Sequence, residues 1–595
     1  MSTPYQTPLA MMRVALDQAA RGELQQAAHA GQPDTGARLG AAALEDAEAV
    51  LGTAGRFAEE VLSPLNAVGD SVSSRLVDGR VVTPPGFPEA YRRFCEDGWP
   101  SVSAPQELGG QGLSTLLASA VTEIWAGANL AFAMCPESSV GAVDALHAHA
   151  GAALAERYLA AIVRGECTAA MDLTEPQAGS DLSTLRTLAK PDGDAWLLSG
   201  RKVFISWGDH DLTPNIVHLV LARTPQAPPG LKGLSLFLVP KLLPQAAGLT
   251  ANDIHAISLE HKMGIRASPT CVMALGERGG ARGWLVGPLH GGIACLFTMM
   301  NRMRLGVGLH STGLAERAWQ LARSYASERR QGRTAAGVER PIIEHADVRR
   351  MLLTMKSLTH AARCLAYAAA AAIDGARLHQ SAPARERALR RAGLLTPLVK
   401  AWCSDLAVEA ASLGVQVHGG SGYLDESEIS QVYRDARVGP IFEGTNFIQA
   451  QDLLGRKVIR DEGATLDELL DEIERVAVAL RDSRQRLPVL AEPLANEVSL
   501  LRAAARKLVE SHASRPELAA CVAYPFLQWL GVVAGGWQWA LTAEHALASS
   551  PAHPLAPELL LGARFYAAHI LPRAKAHAAA VDSPEVFAAA RPEQI

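Results

Sequence analysis

The segment from Leu518 to Ala543 limits the possible folds of this chain more than any other, because its 26 consecutive residues carry no charge. About 20 apolar residues are enough for a helix to cross a lipid bilayer. The segment also contains Gly531-Val-Val-Ala-Gly535, a spacing of small residues at which two helices can approach closely. Such a helix must either face lipid or be buried by other parts of the protein.

Polar and helix-breaking residues within this segment favour burial. Pro525, Gln528 and Gln538 make it a poor lipid-facing helix, and no cluster of Lys or Arg flanks it to set an orientation in a membrane. The sequence therefore predicts a buried helix or helix pair that packs on the rest of the protein or across a dimer, with Gly531 and Gly535 at a close helix contact. Peripheral membrane attachment is the lesser alternative.

Charge and cysteine content exclude several other classes of protein. With 56 basic and 61 acidic residues, the chain lacks the basic surplus of a mainly electrostatic nucleic-acid binder. Its eight cysteines are scattered without a CxxC pair, so we expect neither a disulfide framework nor a zinc site, and no metal. Arg13 and Asp17 interrupt the N-terminal apolar residues, so no secretory signal is predicted and a cytoplasmic location is expected.

The hydrophobic period changes twice along the chain and divides it into segments. After an N-terminal extension at 1–40, residues 41–170 have the spacing of amphipathic helices. Residues 171–288 contain short β-rich runs separated by turn residues, and residues 289–460 are again helical. A further helical segment at 464–595 follows a charged break. The sequence thus predicts an α+β protein of several successive domains.

Five short motifs contain residue types that bind cofactors or transfer protons. They are Leu173-Thr-Glu-Pro-Gln-Ala-Gly-Ser-Asp181, Val203-Phe-Ile-Ser-Trp-Gly208, Ser327-Glu-Arg-Arg-Gln-Gly-Arg333, Gln416-Val-His-Gly-Gly420 and Ile441-Phe-Glu-Gly-Thr-Asn-Phe-Ile-Gln449. Taken singly, each has an ordinary explanation, such as a polar turn, a strand with a core aromatic or a paired carboxylate. A desolvated carboxylate beside glycine, as in the last motif, would have a raised pKa and could act as a general base.

In their order and spacing, the five motifs resemble the acyl-CoA dehydrogenase family over about residues 50–460. The N-terminal extension and the segment at 464–595 are similar to those of its larger bacterial subgroup, which includes the 3-methylthiopropanoyl-CoA dehydrogenases. The resemblance implies a helical N-terminal domain, a small β-barrel, a helical bundle and an additional C-terminal helical domain. It also implies FAD, held between these domains and a neighbouring subunit, and therefore a homodimer or larger assembly.

The resemblance assigns roles to residues at matching positions. Glu443 matches the catalytic base, Thr174 and Ser206 match hydroxyls that bond the flavin ring, and Phe204 replaces the aromatic that packs beside it. The other implied FAD contacts are Ser180, Arg329, Gln331, Gln416, Gly419, Gly420 and Thr445. The implied acyl-CoA contacts are Ser180, Asn301 and Arg304. The family commonly has Trp where this chain has Phe204 and Thr where it has Ser206, and many members have Asp where it has Asn301. Trp207 is also bulkier than the small residue expected at its position.

The implied reaction is the FAD-dependent α,β-dehydrogenation of an acyl-CoA to its trans-2-enoyl-CoA, as in fatty-acid β-oxidation. Glu443 would remove the α-proton and flavin N5 would take the β-hydride, with electron-transfer flavoprotein as the acceptor. An acyl-CoA oxidase and a helical scaffold without FAD are alternatives. A DNA-associated flavoprotein of the same fold is disfavoured, because residues 460–595 contain 13 basic and 17 acidic side chains. The acyl chain length is not predicted.

Overall fold

A computed structural model describes residues 3–29, 47–245, 248–333, 337–482, 487–548 and 553–594. The expected end of the N-terminal extension at residue 40 lies outside these ranges. The α-helices are α1 (Leu9–His29), α2 (Ala47–Phe57), α3 (Ser63–Val72), α4 (Phe87–Glu96), α5 (Thr115–His149), α6 (Ala152–Val163), α7 (Gly292–Glu328), α8 (Ala346–Leu378), α9 (Ala382–His418), α10 (Glu428–Ala436), α11 (Asn446–Gln451), α12 (Ala464–Asp482), α13 (Pro488–His512), α14 (Glu517–Ala548), α15 (Ala556–Phe565), α16 (Ala574–Val581) and α17 (Pro584–Ala589).

The strands are concentrated in the middle of the chain. They are β1 (Arg75–Val77), β2 (Arg80–Val82), β3 (Cys167–Asp172), β4 (Leu188–Asp192), β5 (Ala195–Ser206), β6 (Asn215–Arg223), β7 (Leu234–Pro240), β8 (Leu242–Gln245), β9 (Gly248–Ala251), β10 (Ile254–Leu259), β11 (Thr270–Leu275), β12 (Ala281–Val286), β13 (Arg330–Arg333) and β14 (Glu339–Pro341). The helix–strand–helix order predicted from the sequence is therefore confirmed.

The chain divides into two compact units. The bundle unit consists of Met1–Gly55, Thr115–Gly127 and Val307–Ile595. The barrel unit consists of Arg56–Ser114 and Ala128–Gly306. Each unit is made of segments that are distant in the sequence, because α5 and α7 both contain a boundary between the units.

A closed ring of strands forms the centre of the barrel unit. Strand β4 pairs with both β5 and β6, and the order β5–β12–β7–β6 completes the ring. All seven residues of β7 are buried, as are the seven central residues of β6, so both faces of these strands are covered. Strands β3, β10 and β11 extend the same sheet beyond the ring. The small β-barrel implied by the family resemblance is thus confirmed.

A buried charge network lies inside the bundle unit. The Arg363 guanidinium of α8 contacts the carboxylates of Glu123 and Glu316, at 2.7 Å each. The Tyr367 hydroxyl donates to Glu123 at 2.8 Å. The one cation and the Tyr367 hydroxyl partly compensate the two buried carboxylates, and burial raises the pKa of Glu123. This network joins α5, α7 and α8 in one core.

The uncharged segment lies in α14 and is packed inside the bundle unit, as predicted. Most α14 residues between Leu518 and Ala546 are buried. A β-carbon at Gly531 would lie 2.4 Å from Trp402 Cδ1, and one at Gly535 would lie 2.6 Å from Trp402 Cη2. The two glycines therefore let α14 approach α9 closely, and the predicted close helix contact is confirmed.

Among the described residues, two helices are long and apolar enough to cross a membrane, namely α5 and α14. The most apolar stretch of α5 is 94% buried inside the protein, and that of α14 is 72% buried. Burial of this extent accounts for their apolar composition by packing within the protein.

Replacing Gly531 with alanine should destabilise the contact between α14 and α9. Its new methyl group would overlap the buried Trp402 ring, and overpacking of this kind typically costs about 1–3 kcal/mol. Thermal unfolding of the holoprotein measures the loss. Gly455→Ala is the matched control, because a β-carbon there meets no atom within 4 Å and its melting temperature should be unchanged or higher. Equal melting temperatures for the two variants would contradict the packing described here.

Candidate active site

Glu443 lies in a strained loop of the bundle unit, between α10 and α11. Its backbone φ is +56°, and that of the adjacent Gly444 is +83°. A left-handed conformation is ordinary for glycine but costs free energy for glutamate, and such strain is concentrated at functional sites. The Glu443 side chain is half-buried. The loop ends at Thr445, whose hydroxyl accepts from the Ile448 N–H at 3.3 Å and caps α11.

Hydrogen bonds from α9 and α11 hold this loop in place. Lys400 Nζ donates to the Gly444 carbonyl at 2.7 Å and to Asn446 Oδ1 at 2.9 Å. Gln449 Nε2 donates to the Glu443 carbonyl at 3.1 Å. The carbonyls of Glu443 and of the next residue, Gly444, therefore both accept from side-chain donors, which stabilises the strained conformation.

The two motifs with predicted FAD contacts at helix ends meet in the bundle unit. The rings of Tyr325 in α7 and His418 in α9 stack with centroids 4.4 Å apart. The Arg329 N–H donates to the Tyr325 carbonyl at 2.8 Å, so the start of the motif at Ser327–Arg333 is fixed at this contact. Burial lowers the pKa of His418, so its ring stays neutral and acts as a packing residue.

The residues predicted to contact FAD at these helix ends are accessible. They are Arg329, Gln331, Gln416, Gly419 and Gly420, and all five are exposed. Gly419 has a φ of +60°, and a β-carbon at Gly419 or Gly420 would meet no described atom within 4 Å. The backbone is thus open to a bound group at this end of α9.

In the barrel unit, the turn that begins at Leu173 lies directly against β5. The Val203 N–H donates to the Thr174 carbonyl at 2.9 Å. Lys202 Nζ donates to the Leu173 carbonyl at 3.0 Å and to Glu175 Oε1 at 2.9 Å. These contacts bring Thr174 next to the strand that carries Phe204 and Ser206, the other two predicted flavin-ring contacts.

Glu175 and Lys202 form a buried ion pair that sequence reasoning missed. Burial opposes ionisation of Glu175, but the Lys202 charge and hydrogen bonds from Thr187 and the Arg186 N–H outweigh it and lower the pKa to about 2. The Glu175 carboxylate is therefore ionised at neutral pH. A lysine within a strand of mostly apolar residues was the signal that could have indicated a buried partner.

A bulge in β5 turns Phe204 outward. Cys271 of β11 pairs with Ile205, whereas Met273 pairs with Lys202, so β5 has one extra residue here. Phe204 has a φ of +60° and is 61% exposed, so it does not lie in the barrel core. An exposed aromatic ring on a strained backbone beside Thr174 and a half-buried Ser206 offers an apolar face to a flat ligand.

Trp207 does not occupy this accessible surface. Its ring is buried and contacts the edge of His210, with centroids 5.6 Å apart. The bulk of Trp207, at a position where a small residue was expected, is thus accommodated within the barrel unit.

The predicted acyl-CoA contacts are distributed over two places in the barrel unit. Ser180 is exposed in the turn that follows β3. Asn301 and Arg304 lie about one turn apart on α7, with Asn301 exposed and Arg304 buried. The Arg304 guanidinium lies over the Phe297 ring, 5.8 Å from its centroid. Of these residues, Ser180 and Asn301 can meet a ligand without rearrangement.

Four family models match successive parts of the chain. Residues 45–166, 170–276 and 290–457 match the N-terminal, middle and C-terminal domains of acyl-CoA dehydrogenase. Residues 465–590 match a model described as acetyl-CoA dehydrogenase C-terminal like. Together these matches cover most of the chain, including the additional C-terminal domain.

Individual proteins agree with these models. The chain is 46% identical to the 3-methylmercaptopropionyl-CoA dehydrogenase of Ruegeria pomeroyi, over 84% of this chain and 85% of that protein. It is 34% identical to a butyryl-CoA dehydrogenase of Syntrophomonas wolfei, over 72% and 73% of the two chains.

A solved structure shares the fold. It is an acyl-CoA dehydrogenase from Bacillus anthracis complexed with FAD, with a TM-score of 0.75 and 21% identity, over 92% of this chain and 90% of that chain. The acyl-CoA dehydrogenase family uses FAD. On the family models and the two sequence relatives together, this chain belongs to the acyl-CoA dehydrogenase family of FAD-dependent oxidoreductases.

Proposed function

We propose that this chain removes two hydrogens from the α and β carbons of an acyl-CoA thioester, with Glu443 as the catalytic base. The observation that carries the proposal is the strained backbone of Glu443, which has a φ of +56° and is held by side-chain hydrogen bonds to its own carbonyl and to that of Gly444. A half-buried carboxylate on a backbone held in this way can accept a proton from a substrate carbon bound beside it.

The residues present fit FAD. Phe204 offers an exposed aromatic face, and Thr174 and Ser206 lie close to it as the proposed partners of the flavin ring. The open backbone at Gly419 and Gly420, with the exposed cation of Arg329, suits the phosphate-bearing part of the cofactor. When bound, FAD supplies the hydride acceptor.

The protein's own residues have three tasks in this proposal. Glu443 accepts the α-proton on its carboxylate, and its backbone N–H donates to the thioester oxygen to stabilise the charge that develops there. Lys400 and Gln449 keep that peptide in its left-handed conformation. Asn301 and Ser180 are proposed to bind the CoA part of the substrate.

We further infer the setting of the reaction from the family. The protein would act in the cytoplasm as a homodimer or larger assembly, in the manner of a β-oxidation enzyme, and would pass electrons to electron-transfer flavoprotein. The exposed residues at the ends of α7 and α9 support the assembly, because the family completes its FAD site across subunits at the matching positions.

A panel of acyl-CoA thioesters tests the proposed reaction and identifies the acyl group. The similarity to the Ruegeria pomeroyi enzyme favours 3-methylmercaptopropionyl-CoA, so we expect it to give the highest kcat/KM with a dye acceptor. Short straight-chain thioesters should follow, and long-chain ones should be poorer. Steady hydrogen peroxide production without the dye would indicate an oxidase instead, and no turnover with any thioester would contradict the proposal.

A further inference from the structure

The additional C-terminal domain contacts the helix that holds the Glu443 loop. Tyr524 Oη of α14 donates to Asp405 Oδ2 at 2.8 Å, and Gln528 Nε2 donates to the same oxygen at 2.6 Å. Tyr524 and Gln528 lie one turn apart on α14, and Asp405 lies on α9. One carboxylate oxygen is therefore fixed by two donors from the C-terminal domain.

The other oxygen of the same carboxylate faces the catalytic loop. Asn446 Nδ2 donates to Asp405 Oδ1 at 2.9 Å. The Oδ1 atom of Asn446 accepts from Lys400 Nζ, also at 2.9 Å. Lys400 also donates to the carbonyl of Gly444, the residue next to Glu443. The hydrogen bonds thus form a continuous series from α14 to the Gly444 carbonyl in the Glu443 loop.

Burial makes these hydrogen bonds sensitive to the loss of a partner. Asn446 and Gln528 are buried, so water does not readily replace a lost partner. Burial raises the pKa of Asp405, and the hydrogen bonds from Tyr524, Asn446 and Gln528 oppose that rise. Removal of the two donors on α14 would therefore change both the orientation and the ionisation of the carboxylate that supports Asn446.

We propose that Asp405 is a positioning residue through which the C-terminal domain, by Tyr524 and Gln528, fixes the conformation of the Glu443 loop. The inference rests on the proposed role of Glu443 and adds a function for the domain at 464–595. The domain then contributes to the rate of proton removal without contacting the substrate. A shift of about 1 Å in a catalytic group can reduce a rate by about a hundredfold.

The test uses the full-length holoenzyme with the double variant Tyr524→Phe/Gln528→Leu, which removes both donors and keeps similar side-chain volumes. We expect kcat to fall between about tenfold and a hundredfold, with KM and bound FAD little changed. Amide hydrogen exchange in residues 440–449 should become faster. This second readout does not depend on turnover.

Glu409→Gln is the matched control. Glu409 lies one turn beyond Asp405 on α9 and binds Arg573 of the C-terminal domain through two hydrogen bonds of 2.8 Å. The control therefore weakens a contact between the same parts of the protein without a connection to Asn446. Its kcat and its exchange at 440–449 should match the wild type.

Two outcomes would overturn the inference. The first is that the double variant has the same kcat as Glu409→Gln and the same rate of amide hydrogen exchange in residues 440–449. The other is a double variant that loses FAD or melting temperature in proportion to its activity, because that result indicates general unfolding. Glu443→Gln is measured in the same series: if it kept full turnover, the proposed base would be wrong, while the exchange data would still decide the role of Asp405.

Discussion

Replacing Glu443 with glutamine is expected to lower kcat by at least about a thousandfold, because the amide cannot accept the α-proton. The substitution keeps the size of the side chain and the two hydrogen bonds to the loop backbone, from Gln449 to the carbonyl of residue 443 and from Lys400 to the Gly444 carbonyl. Bound FAD, measured by its absorbance relative to protein, should therefore equal that of the wild type. Steady-state turnover with the best thioester of the panel gives the comparison.

Glu426→Gln provides the control for this charge change. Glu426 is exposed and precedes α10, so its neutralisation should leave kcat and FAD content unchanged. If Glu443→Gln retained more than about a tenth of the wild-type kcat, a residue other than Glu443 would have to be the base.

Replacing Lys202 with methionine is expected to give the largest loss of stability. The variant leaves the buried Glu175 carboxylate without its cation, and breaking a buried ion pair typically costs about 3–5 kcal/mol. The turn that carries Thr174 also loses its hydrogen bond from Lys202 to Leu173, so FAD content should fall. Thermal unfolding and FAD absorbance measure the two effects.

Arg201→Met is the matched control, since Arg201 directly precedes Lys202 in β5 and pairs with Glu277 at the surface, 3.4 Å away. It should lose less than about 1 kcal/mol. Equal losses for the two variants would contradict the importance of the buried pair.

The same pair predicts a pH dependence. Lys202 helps to lower the Glu175 pKa from its ordinary 4.5 to about 2, so the pair stabilises the fold above pH 4.5 and this contribution is lost as the pH falls towards 2. In Lys202→Met, burial without a cation raises the Glu175 pKa, so protonation relieves an unpaired charge. The difference in melting temperature between wild type and variant should thus be largest near pH 7 and should narrow below about pH 5. A difference in melting temperature that stays constant with pH would contradict the proposed stabilisation by the Glu175–Lys202 pair.

The parts of the fold that depend on local patterns could be predicted from the sequence. The strands of the barrel unit follow from short β-rich runs between turn residues, and burial of α14 follows from polar residues within an uncharged segment. A close helix contact at Gly531 and Gly535 was expected because small residues four apart on a helix allow a close approach, and the structure shows that Trp402 lies at this contact.

Features that depend on long-range pairing could not be predicted. The outward direction of Phe204 results from a bulge against β11, and no residue near Phe204 in the sequence specifies that register. Glu175 and Lys202 are 27 residues apart, and Asp405 and Tyr524 are 119 apart. A sequence pattern indicates which face of each element is buried but does not indicate which elements meet.

The left-handed backbone at Glu443 has a similar origin. Glycine at 444 indicates a turn, but the strained residue is the glutamate before it, and its conformation depends on donors from α9 and α11. The predicted roles of the site residues came from family resemblance, and the structure supplies the contacts that now make them testable.

Anaerobic mixing of the purified holoenzyme with an excess of 3-methylmercaptopropionyl-CoA, followed by the absorbance of FAD and by mass analysis of the thioester, tests the central claim most directly. We predict loss of the oxidised flavin absorbance and formation of one enoyl-CoA, lighter by two hydrogens, per FAD in the wild type. Glu443→Gln should show neither change over the same time. FAD that stays oxidised in the wild type with every thioester of the panel, or that is reduced equally fast in Glu443→Gln, would contradict the account.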